Sequence, residues 1–150
     1  VAMGHSAGAH LVALLAAAPA LWQAQGAVPV RATVALDSAV YDVAEAMRRP
    51  HLRLYDAAFG SDPAQWAPVS PAQQLRQAGA PLLAVCSTRR RAACAQAEGF
   101  AAQARTLGMR VQVLGQDLTH GEINASLGRE GPYTEAVEAF LRSVDAKMLP

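Results

Sequence analysis

Val1-Ala2-Met3-Gly4-His5-Ser6-Ala7-Gly8-Ala9-His10 opens the chain, and its reading decides the fold. An apolar run reaches Gly4, a serine sits between two glycines in Gly4-His5-Ser6-Ala7-Gly8, and Leu11, Leu14 and Leu15 follow at helical spacing. Strand, sharp turn, helix is the context in which Gly-x-Ser-x-Gly forms a nucleophile elbow. Both glycines are expected for steric reasons, since side chains there would collide with neighbouring backbone. The turn lifts the serine hydroxyl above the sheet edge. It also aims the N–H of Ala7, at the positive end of the helix, at a reacting carbonyl, where it can stabilise developing negative charge.

Outward from this turn, short β-rich runs alternate with longer helical ones, the pattern of a parallel sheet covered by helices. Val1 to Met3 reads as the end of a strand and Ser6 to Ala18 as a helix halted near Pro19, with Leu11, Leu14 and Leu15 on one face. A second strand spans Val30 to Leu36 and closes at Asp37-Ser38, and Val40 to Met47 reads as helix. Gly60-Ser61-Asp62-Pro63 and Pro68-Val69-Ser70-Pro71 make residues 50–71 an excursion of short helical pieces above the sheet. Pro81 to Cys86 is a continuous apolar run, expected of a strand buried on both faces. A helix over Ala92 to Leu107 stopping at Gly108, a strand over Val111 to Leu114, a short helix after Thr119-His120-Gly121 and a last helix over Tyr133 to Asp145 complete one domain.

A serine hydroxyl is a poor nucleophile until a base takes its proton, so a histidine is required downstream, in the order serine, acid, histidine. Of the four histidines, His5 lies inside the elbow and His10 on the helix after it, where both are expected to pack or line the pocket. His51 falls in the excursion and is expected at the surface. His120 follows the last strand in Asp117-Leu118-Thr119-His120-Gly121-Glu122, the position of a general base.

Composition narrows the field further. At 150 residues and 52% hydrophobic, the chain can bury the core of one domain. A net charge of +1 points neither to nucleic acid nor to an anionic membrane as partner. Only Lys147 among the thirteen basic residues is lysine, a bias we attribute to the source genome. No stretch approaches the roughly 20 apolar residues of a membrane span. Cys86 and Cys94 fit no metal motif; two reduced thiols are the favoured reading, giving no reason to place the protein outside the cytoplasm. The alternative is a local disulfide tying a strand end to the next helix, which would imply export. Since the chain opens at Val1, inside a strand, we expect it to be cut from a longer one.

Gly4-His5-Ser6-Ala7-Gly8-Ala9-His10, Phe59-Gly60-Ser61-Asp62-Pro63, Val69-Ser70-Pro71 and His120-Gly121-Glu122-Ile123-Asn124 together resemble the esterase/lipase and arylformamidase-like branch of the α/β-hydrolase superfamily. The resemblance spans almost the whole chain. It implies the C-terminal catalytic half of an α/β-hydrolase fold, with the N-terminal strands and a His-Gly-Gly type oxyanion loop on roughly 100 residues outside this chain. It implies a serine hydrolase acting on a small carboxylic ester or related formamide, with Ser6 as nucleophile, His120 as base, Ala7 in the oxyanion hole, and no cofactor or metal. Two alternatives use the same fold: an acyltransferase, and a non-catalytic binding or scaffold protein. Substrate identity and oligomeric state are not implied.

The resemblance would place an acid after the strand ending at Cys86, to orient the histidine. The chain reads Ser87-Thr88-Arg89-Arg90-Arg91 there, a run taken as solvated at a helix start, with one arginine a candidate for a substrate carboxylate. Some members of the superfamily carry the acid after the preceding strand, where Asp37 stands, and it is the first choice. A turn-capping Asp37, Asp117, Glu98 or a Ser–His dyad without an acid remain as alternatives.

Overall fold

Four strands, β1 (Ala2–His5), β2 (Thr33–Leu36), β3 (Leu82–Ser87) and β4 (Val111–Gln116), lie side by side in chain order and run parallel throughout in the computed structural model, which describes residues 1–148. The central pair owes its place to composition. Thr-Val-Ala-Leu of β2 and Leu-Leu-Ala-Val-Cys-Ser of β3 are buried at every position, as strands covered on both faces must be. β1 and β4 are the edges and are only partly covered.

Helices α1 (Ala7–Ala17) and α6 (Arg91–Thr106) cover one face, where Ala9, Ala13 and Ala17 meet Ala35, Ala84 and Phe100. Helices α7 (His120–Ala125) and α8 (Pro132–Val144) cover the other, packing Ile123, Val137 and Phe140 on Val34, Leu83 and Val85. Between α1 and α6 in sequence come α2 (Ala20–Gln23), α3 (Val43–Met47), α4 (Arg53–Phe59) and α5 (Pro71–Gln74). Val40, Val43, Ala44 and Trp66 form a separate small core in the excursion, with Phe59 packed against it.

Two expectations, on the elbow glycines and on the cysteines, need correction, and α1 meets the sheet by a face that its leucines do not mark. Leu11, Leu14 and Leu15 are not the face by which α1 meets the sheet: Leu11 is 58% exposed, while Ala9 and Ala13 are fully buried. Small side chains let the helix backbone lie close to the strands. The two elbow glycines also differ. A Cβ on Gly4 would stand 2.4 Å from the Gly8 carbonyl, whereas one on Gly8 would meet nothing within 4 Å. Finally, Cys86 and Cys94 are not reduced thiols but a disulfide joining β3 to α6, their Cα atoms 5.2 Å apart.

Candidate active site

The parallel register brings the C-terminal ends of all four strands to one edge, where Ser6, Asp37 and the Ser87–Arg90 turn stand on neighbouring strands. Crevices at this edge are where open parallel sheets bind ligands. Ser6 and Asp37 are held alike. Ser6 donates its N–H to the Leu36 carbonyl at 3.0 Å, and Asp37, one strand over, donates to Val85 at 2.8 Å. Both have left-handed backbone, φ 58° and 56°, uncommon for residues with a side chain. Each turn departs sharply from its strand.

Asp37 has no exposed side-chain surface. Its Oδ1 accepts the Ser87 N–H at 2.8 Å, and its Oδ2 accepts from His120 Nδ1 at 2.6 Å and from the Arg90 guanidinium. Burial pushes this carboxyl up, but the Ser87 amide, the His120 ring and Arg90 more than offset it, and the pKa lies below the ordinary carboxylate value. An ionised carboxylate can only accept, so Nδ1 carries the imidazole proton and Nε2 is free. That Nε2 lies 3.0 Å from Ser6 Oγ.

The loop bearing His120 is tied at several points. Thr119 caps α7 through a reciprocal box: its hydroxyl accepts the Glu122 N–H, and the Glu122 carboxylate accepts the Thr119 N–H at 2.8 Å. The Ser87 hydroxyl donates to the Leu118 carbonyl at 2.6 Å. His5 Nε2 donates to the His120 carbonyl at 2.8 Å, and the two rings lie 4.4 Å apart between centroids. Tyr133 donates to the Ile123 carbonyl, and burial, followed by the charge of Asp37, pushes its hydroxyl up to about 12.

The structure thus brings Ser6, His120 and Asp37 into one hydrogen-bonded line. Asp117 instead pairs with Arg89 at 2.8 Å in solvent, and Glu98 is exposed on α6. The arginine run is not uniformly solvated. Arg90 turns inward onto Asp37, and its Nη1 lies 2.7 Å from His120 Nδ1. Two donors converging on one carboxylate oxygen explain that approach better than a bond between them. Ala7, His10 and Arg90 join Ser6 around a cavity of about 350 Å³ whose remaining wall is chiefly apolar, including Leu14, Val40 and Phe59. Among the described residues no cluster of three or more His, Cys, Asp or Glu could hold a metal, and no helix is long and apolar enough to cross a membrane. His51 is peripheral, bonded to Asp56 at 3.0 Å.

No family model and no curated protein matches the chain. Solved structures do. The butyrate-bound thermophilic esterase Est2 of the planctomycete Thermogutta terrifontis is 20% identical with TM-score 0.68, over 95% of this chain and 55% of that one. The same enzyme phosphonylated by sarin gives 17% and 0.68, over 95% and 56%. An acylaminoacyl peptidase bound to a Z-Gly-Gly-Phe chloromethyl ketone gives 19% and 0.63, over 93% of this chain and 23% of that one. The chain therefore spans about half the length of the esterase chains it matches. Its four parallel strands and flanking helices match part of an α/β-hydrolase fold.

Proposed function

We propose that this chain is the catalytic C-terminal half of a serine hydrolase that cleaves a small carboxylic ester or related formamide. The observation that carries the reading is the line from Asp37 Oδ2 through His120 to Ser6 Oγ, with contacts of 2.6 and 3.0 Å. Ser6 attacks the carbonyl carbon as His120 Nε2 takes its proton, and the Ala7 N–H receives the developing oxyanion. His120 then returns the proton to the leaving oxygen or nitrogen, leaving an acyl group on Ser6. Water, deprotonated by the same imidazole, releases the acid and restores the hydroxyl. Asp37 fixes the tautomer and stabilises the imidazolium without taking its proton.

The neighbours agree with this chemistry, one being an esterase with bound butyrate and another the same enzyme phosphonylated by sarin. The buried Asp37 carboxylate on His120 supports this reading over a non-catalytic scaffold of the same fold. The Cys86–Cys94 disulfide favours an oxidising compartment under the same reading. Fluorophosphonate labelling of the full-length protein tests the assignment: wild type should label at Ser6 and Ser6→Ala should not. Ser6→Ala should also lose about a thousandfold or more in nitrophenyl ester kcat, and retention above about a tenth of the wild-type rate sinks it.

A further inference from the structure

His10 is more than nine-tenths buried, and it lines the same cavity as Ser6. It stands one helical turn beyond the elbow, its N–H reaching the Ser6 carbonyl at 3.2 Å. Its Nδ1 lies 2.8 Å from the Val40 carbonyl, and a carbonyl can only accept, so Nδ1 carries the proton of the neutral ring. Nε2 is left as an acceptor, and among the described residues nothing donates to it. Of the other polar groups on the wall, Asp37 and Arg90 engage one another, Ser38 engages Val40 and Ser6 meets His120, while Tyr55 is only half-buried. Phe59 packs on the His10 ring at 5.4 Å and fixes its plane.

We infer that the cavity receives a substrate group that is apolar except for one hydroxyl or N–H donor, taken up by His10 Nε2. This rests on Ser6 being the nucleophile, and it makes His10 a specificity-determining residue. A purely apolar occupant strips water from the Nε2 lone pair and returns nothing, whereas a donor-bearing one restores the bond. Sites built to hydrogen-bond a substrate donor discriminate against analogues lacking it for this reason.

Indole and benzofuran test this in the full-length protein, since they match in shape and differ in one N–H. Direct binding should favour indole by about tenfold in wild type and by neither in His10→Leu. The Ser38 hydroxyl, 3.1 Å from the Val40 carbonyl, keeps that oxygen bonded in the variant. Indole should also compete with nitrophenyl ester hydrolysis, placing it beside Ser6, and should move the nitrogen chemical shift of His10 Nε2 in wild type where benzofuran does not. This last readout needs no variant. Equal affinities in wild type, an unmoved His10 signal, or a preference that survives in His10→Leu overturns the inference. Failure of the Ser6 assignment looks different: ester turnover and fluorophosphonate labelling vanish while the indole preference stands.

Discussion

Asp37 has two separable effects, one on rate and one on acid stability. Asp37→Asn should lower kcat by about a thousandfold or more, because an amide can donate to Nδ1 and select the wrong tautomer. Asp117→Asn, which alters only an exposed pair with Arg89, should stay within a few-fold of wild type. Equal losses in the two variants would contradict the acid assignment. The folded pKa of Asp37 is lowered, so its stabilising contribution is complete above the ordinary carboxylate value and disappears as pH falls through the lowered one. Unfolding midpoints of wild type and Asp37→Asn should therefore differ most near neutrality and converge as pH falls through the lowered value. At this scale the sequence showed an acid closing a strand, and rank order among Asp37, Asp117 and Glu98 followed from position alone. Arg90 was not legible. In Arg89-Arg90-Arg91 nothing marks the middle residue, and only the proximity of the turns after β2 and β3 selects the side chain that folds onto the carboxylate.

His120 occupies the first position of α7, so whatever fixes that helix start fixes the imidazole. Thr119→Ala removes the hydroxyl half of the capping box and should cost about 1 kcal/mol in unfolding free energy. If the cap positions His120, ester kcat should fall further than KM changes, and Thr119→Ser should recover both. A kcat unchanged in Thr119→Ala would separate the cap from the site. Element types were readable from periodicity, but their ends were not. The strand expected over Val30 to Leu36 is shorter, because the ladder starts only at Thr33, opposite Leu82. The α1 leucines carry a related lesson. They form a helical stripe, but Leu11 and Leu14 border the cavity beside Ser6, and the stripe that meets the sheet is alanine. A hydrophobic pattern records which face avoids water and is silent on whether a core or a ligand covers it.

Across the molecule, β1 is an open edge, with Met3 on it 44% exposed. Parallel sheets are ordinarily covered, and an uncovered edge offers unpaired backbone to any other strand. The 150-residue chain alone should accordingly self-associate in sedimentation and show no ester turnover, and a monodisperse, fully active monomer would refute this. The left-handed backbone at Ser6 has a different bearing on the whole protein. Glycine accepts that conformation without a Cβ penalty and alanine does not. Ser6→Gly should therefore raise unfolding free energy by about 1 kcal/mol while abolishing labelling, and Ser6→Ala should abolish labelling with no such gain. Thermal challenge without an activity screen would then enrich glycine at this codon: a lineage selected only for endurance would discard its own chemistry first.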